Sequence, residues 1–113
     1  MNHYVFEHEK LGRLRVIADE NDTVFLCAND VARMFEYADP RSAVRHHCRK
    51  TVKLKHVTME CKAVDMRVMK FIELKHLPDF ARHTLSVNTQ VLAQWLQEEI
   101  LPQIVDVCMA KAI

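Results

Sequence analysis

The stretch Asn29–Lys55, NDVARMFEYADPRSAVRHHCRKTVKLK, decides how this chain folds. Asn29 or Asp30 can serve as an N-cap, accepting backbone N–H groups that a first helical turn leaves unpaired. Val31, Met34 and Phe35 follow at i, i+3 and i+4, which predicts a short helix with one apolar side. Tyr37 to Pro40 breaks it, because proline disfavours the α conformation at the residue before it. Asp39-Pro40 then starts a second helix, the aspartate capping and the proline at the first helical position, where its missing N–H costs nothing.

The second helix, expected from Pro40 to about Lys50, separates its sides. At a helical turn angle of about 100° per residue, Arg41, Arg45, Arg49, Ser42 and His46 fall within about 140° of one another. Ala43, Val44, His47 and Cys48 occupy the opposite side, and Ala43 and Val44 are expected to pack on the first helix. That leaves a stripe of arginines facing outward. No acidic residue interleaves to form the i,i+4 pairs of a merely soluble helix. Arginine suits bidentate contacts with phosphate or with the O6/N7 edge of guanine.

Charge is distributed unevenly. The chain has 16 Lys and Arg against 15 Asp and Glu. Six of the basic residues (Arg41, Arg45, Arg49, Lys50, Lys53, Lys55) and three histidines lie between Pro40 and Met59, with no carboxylate among them. The remainder of the chain therefore holds ten basic residues against the same 15 acidic ones. A local positive footprint on a near-neutral protein points to a polyanion, most often nucleic acid.

The same residues resemble a known family. A strand, an acidic turn, an aromatic strand and then NDVARMFEYADPRSAVRHHCRK look like the Bro amino-terminal domain of phage antirepressors and baculovirus repeated-open-reading-frame proteins. LRVIADENDTVFLCA (Leu14–Ala28), KFIEL (Lys70–Leu74) and QWLQEEILPQI (Gln94–Ile104) resemble it too, so the likeness runs from about Tyr4 to Ile104. DPRSAVRHHCRK and W-x-x-E-E-I-L-P-x-I are specific in combination and less so alone. The resemblance implies a DNA-binding regulatory domain of temperate phages, prophages and large DNA viruses.

Two departures stand out. The family commonly has a glycine before the tyrosine that ends its first helix, and here Glu36 precedes Tyr37. Glutamate resists the left-handed conformation, so a different turn is expected there. Many relatives also carry a further carboxy-terminal domain, so this chain is either a stand-alone minimal version or an excised domain.

Composition excludes several classes. Half the residues are hydrophobic, which argues against disorder, and 113 residues suffice for one modest core. No apolar run approaches the roughly 18 residues of a membrane span. MNHYVFEHEK is no signal peptide, so a soluble protein without membrane partners is expected, cytoplasmic in a bacterial host cell or nucleoid-associated. Cys27, Cys48, Cys61 and Cys108 form no CxxC pair and are expected as reduced thiols. Cys48, Cys61, His46, His47 and His56 lack the paired short spacing of structural zinc sites, so no metal or other cofactor is expected. Gly12 is the one glycine, which excludes phosphate-cradling loops. No catalytic signature is present, and no enzymatic activity is expected.

Outside the central stretch, Tyr4–Phe6, the alternation around Leu14, Val16 and Ala18, and Thr23–Cys27 read as strands joined by charged turns. Val52–Val57 alternates apolar and basic residues as an edge or half-buried strand does. Residues 58–70 fit a strand, a loop or a short helix equally. Phe71–Leu74 fits a strand or a helix entry, and a short helix is expected over Leu77–His83 with Pro78 at its start. A long helix is expected from about Asn88 to Met109, with Val91, Trp95, Leu96, Ile100, Ile104 and Cys108 on an apolar stripe and a kink at Pro102.

The sequence thus predicts one α+β domain over residues 1–113: a small antiparallel sheet, a helix-turn-helix-like pair and a long carboxy-terminal helix. The expected activity is binding of double-stranded DNA as an antirepressor-like transcription regulator of phage, prophage or viral type. Phosphate contacts are expected from Arg41, Lys50, Lys53 and Lys55, and base-edge contacts from Ser42, Arg45, His46 and Arg49. The rival reading is a protein-interaction module that docks on a repressor protein without touching DNA. Single-stranded nucleic acid fits less well, since the patch lacks interleaved aromatics on which bases stack. A homodimer on a two-fold site is expected from the closing helix, whose apolar residues extend round more of its circumference than one thin sheet need bury.

Overall fold

The computed structural model describes residues 2–48, 50–60 and 63–104. β1 (Asn2–His8) and β2 (Gly12–Ala18) pair as a hairpin. Its turn ends on Gly12 at φ 90°, a conformation that glycine takes without a Cβ penalty. His8 Nδ1 accepts the backbone N–H groups of Lys10 and Leu11 at 3.0 and 3.2 Å. The next turn is built by Asp19, whose Oδ1 accepts from the N–H groups of Asn21 and Thr23 and leads into β3 (Val24–Cys27). Two helices follow, α1 (Ala28–Met34) and α2 (Pro40–His47). The chain then returns as the long hairpin of β4 (Val52–Glu60) and β5 (Ala63–Glu73), which resolves the ambiguity in favour of strands over residues 58–60 and 63–70. A 3-10 turn at Leu74–His76, α3 (Leu77–Ala81) and α4 (Asn88–Trp95) complete the order. The five strands are antiparallel in the order β1-β2-β3-β5-β4, so the α+β architecture is as expected.

Strand alternation sends side chains to two sides of the sheet. Leu14, Val16, Leu26 and Ile72 meet Val31, Phe35, Val44, Phe80, Leu92, Trp95 and Ile100 in the main core beneath the helices. Ile17, Phe25, Cys27 and Phe71 form a smaller core on the other side, with Leu54 and Met69 packed against it. This side is closed by curvature. β5 pairs with β3 only over Phe71–Glu73, so most of the β4–β5 ribbon can coil with its natural twist. β4 comes round to β1, where buried His56 places Nε2 3.0 Å from the Tyr4 carbonyl oxygen. A carbonyl can only accept, so Nε2 carries the proton. Beside it, His3 Nδ1 accepts the Val57 N–H at 3.2 Å.

The helical pair departs from expectation at two points. Neither Asn29 nor Asp30 caps α1, which starts one residue after β3 with Cys27 ahead of it. Asp30 lies inside the first turn instead, 1% exposed. The second departure is Glu36, which does adopt the left-handed conformation, at φ 65°. The Tyr37 N–H reaches back to the Ala32 carbonyl and the Glu36 N–H to that of Arg33, the reciprocal pair of bonds that a glycine usually closes. Surrounding groups hold Glu36 there. Ser86 Oγ donates to its Oε2 at 2.8 Å, while Thr84 Oγ1 and Asn88 Nδ2 donate to the terminal carbonyls of Phe35 and Met34.

The closing helix runs as α4, a π-helical turn at Leu96–Ile100 and a further helical stretch at 101–104. The disturbance expected from Pro102 takes the form of this widened turn, in which the Leu101 N–H bonds to the Leu96 carbonyl. Leu92, Trp95, Leu96, Ile100 and Ile104 are all buried against the domain's own sheet. The apolar surface expected to pair two copies is therefore covered along this part of the helix. Val105, Val107, Cys108 and Met109 lie outside the described residues. No helix among the described residues is long and apolar enough to cross a membrane.

Candidate nucleic-acid interface

The second helix is set by its first turn and its apolar side. Asp39 Oδ1 accepts the Ser42 N–H at 3.3 Å and Pro40 occupies the first turn, as the sequence predicts. Ala43 and Val44 are buried, which turns Arg41, Arg45 and His46 outward into solvent. The helical pair thus presents cations because its small apolar residues face inward.

These cations border an open groove of about 990 Å³ between the helices and the β4–β5 hairpin. Arg33 from α1, Arg41 and Arg45 from α2, Lys53 from β4, Arg67 and Lys70 from β5, and Arg15 from β2 all line it. Asp39 is the single carboxylate in the lining. Lys53 and Lys70 stand directly opposite each other in the β4–β5 ladder. Like charges at such positions destabilise a strand pair.

The expected site residues do not all gather here. Arg41, Arg45 and Lys53 line the groove. Ser42 and His46 sit on the same helix but outside the lining, Ser42 half-buried with its N–H engaged by Asp39. Lys55 follows Lys53 on the same side of β4, exposed, with Val68 across from it. Lys50 lines a separate cavity at the C-terminal end of α2. Arg49 lies outside the described residues. Arg33, Arg67, Lys70 and Arg15 were not foreseen. Once β4 is read as an alternating strand, the basic residues of its partner are the signal that could have found Arg67 and Lys70.

Behind the groove, Asp30 organises two of the arginines. The β2–β3 ladder ends at Val16 and Leu26, and the Arg15 N–H just beyond it donates to Asp30 Oδ2 at 3.0 Å. The Arg15 guanidinium adds a two-pronged contact through Nε at 2.9 Å and NH2 at 2.8 Å. Arg33 donates to Oδ1 at 2.6 Å from a side chain that is otherwise 63% exposed. The hydrogen bond to Asp30 raises the Arg15 pKa, so its charge is fixed. Asp30 thereby positions Arg33 at the edge of the groove.

The two described cysteines are free thiols, and burial pushes both Cys27 and Cys48 up to about 11. They remain protonated and weakly nucleophilic at neutral pH. Among the described residues no cluster of His, Cys, Asp and Glu has the geometry to hold a metal ion.

No solved structure matches this chain. An uncharacterized protein of Haemophilus influenzae (strain ATCC 51907 / DSM 11121 / KW20 / Rd) is 30% identical over 91 residues, which cover 80% of this chain and 44% of that protein. The chain thus spans less than half the length of this curated relative. Residues 13–102 match the BRO family, N-terminal domain, a region that takes in every strand from Arg13 onward, both helices of the pair and the groove between them and the hairpin. The chain belongs to the family of BRO N-terminal domains.

Proposed function

We propose that this chain is a single regulatory domain of phage, prophage or viral type, antirepressor-like, that binds double-stranded DNA in the groove between α2 and the β4–β5 hairpin. The observation that carries this reading is the facing of Lys53 and Lys70 across the ladder, within a groove lined by seven cationic side chains and one carboxylate. Such a surface is matched by a phosphate backbone. Lys53, Lys55, Lys70 and Arg41 contact phosphates, with Lys50 contributing from the end of the helix. Arg45 and His46 turn toward base edges together with Ser42, and the same role is proposed for Arg49. Arg33 and Arg67 extend the phosphate track beyond the residues expected from sequence.

A salt titration on random duplex DNA tests it. With four to six phosphates neutralised, log affinity falls against log salt with a slope of about −4 to −5, following about −0.9 per phosphate. A flat dependence, or no duplex binding at low ionic strength, overturns the reading and favours a repressor or other regulatory protein as the partner.

A further inference from the structure

The cavity at the C-terminal end of α2 shares no lining residue with the groove. It measures about 430 Å³, within the range of small-molecule sites. Ile72 and Phe80, both buried in the main core, close it from behind. One wall is a pair of flat rings, His47 and His83, stacked with centroids 4.5 Å apart and planes 19° from parallel. This wall is braced from behind, since Tyr37 stacks on both His47 and Phe80. The rim is cationic. Lys50 and Arg82 stand there with His76, and the one carboxylate, Asp79, is joined to Arg82 at 3.1 Å in a pair whose side chains are 75% and 65% exposed. A pair so exposed is weak, and Arg82 can exchange Asp79 for a better-placed anion.

We propose that this cavity binds a small aromatic anion, its ring packed against the His47–His83 imidazole pair and its phosphate or carboxylate held at the rim by Lys50 and Arg82. The imidazole wall selects a flat body, and the rim selects negative charge. His47 and Cys48 end α2, so the ligand touches the helix that carries Arg41 and Arg45.

The test uses the full chain without nucleic acid, so its outcome is independent of the DNA reading. Phenyl phosphate is titrated by calorimetry and by the imidazole resonances of His47 and His83, against inorganic phosphate and phenol as probes with the ring or the charge removed. Saturable one-to-one binding is expected for phenyl phosphate, at least about tenfold tighter than either probe. The exposed double change K50A/R82A should keep the thermal midpoint and weaken binding about tenfold. Absence of saturation at millimolar phenyl phosphate overturns the proposal. Equal binding of inorganic phosphate overturns it as well. So does binding that survives K50A/R82A but is lost in R41A/R45A, which moves the anion to the groove.

Discussion

Arg15 and Arg33 differ from Arg41 and Arg45 in whether their charge is matched within the chain. The first two converge on Asp30, a carboxylate that is 1% exposed and satisfied from several directions. The second two sit a few residues away on α2, outward, and no ion pair among the described residues engages them. Charge that holds the fold together is desolvated and matched within the chain. Charge available to a partner is exposed and left unmatched. Both kinds border one groove, and Arg33 stands between them, tied at one nitrogen while most of its side chain is in solvent.

The largest expected effect falls on the matched set. Replacing Asp30 with alanine leaves Arg15 poorly solvated with no counter-charge, and should cost about 3–5 kcal/mol in urea denaturation. A loss below about 1 kcal/mol would erase the distinction between the two sets. Next in size is a contrast within α2. Val44→Ala opens a small cavity under the helix and should lower stability by about 1–3 kcal/mol, while the arginines beside it keep their duplex affinity in the folded protein. Arg45→Ala should do the reverse, shifting stability by no more than about 0.5 kcal/mol while weakening duplex binding. A folded, fully competent Arg45→Ala variant would mean that the unmatched set is only a solvated helix side. The smallest effect is expected at the turn that joins the two sets. Glu36→Gly relieves the left-handed strain but loses the bond from Ser86 and loosens the unfolded chain, for a net gain of up to about 1 kcal/mol in the same assay. A net loss would show that the Ser86 contact outweighs the strain.

How much of this was legible depended on whether the signal was local. Asp39-Pro40 and the spacing of Ala43 and Val44 announce α2, because a cap and an apolar side act within one or two turns. The β4–β5 hairpin was legible only on its first strand. In β5 the exposed row carries Met66 and Val68, which are 57% and 64% exposed, so the alternation of apolar and polar residues that marks a strand is blurred. Lys70 and Arg67 therefore went unassigned, since they join the groove only through pairing with β4. Lys50 differs from the other cations in its surroundings. Proximity along the chain suggested one patch, but the chain turns after α2 and carries Lys50 to the neighbouring cavity. The Glu36 turn could not be read locally either, because Ser86, Thr84 and Asn88, about 50 residues away in sequence, hold that end of α1.

The meeting of β1 with β4 bears on how this protein can be approached. The outer strands of an open sheet offer rows of unused backbone donors and acceptors, on which a strand from another molecule can assemble. Here the two outer strands turn toward each other, and His56 and His3 bridge them by taking up one backbone carbonyl and one backbone N–H. An incoming strand at that seam would first have to displace both imidazoles and uncover the small core of Ile17, Phe25, Cys27 and Phe71. The fold thereby resists recruitment into mixed sheets and amyloid-like stacking at this seam.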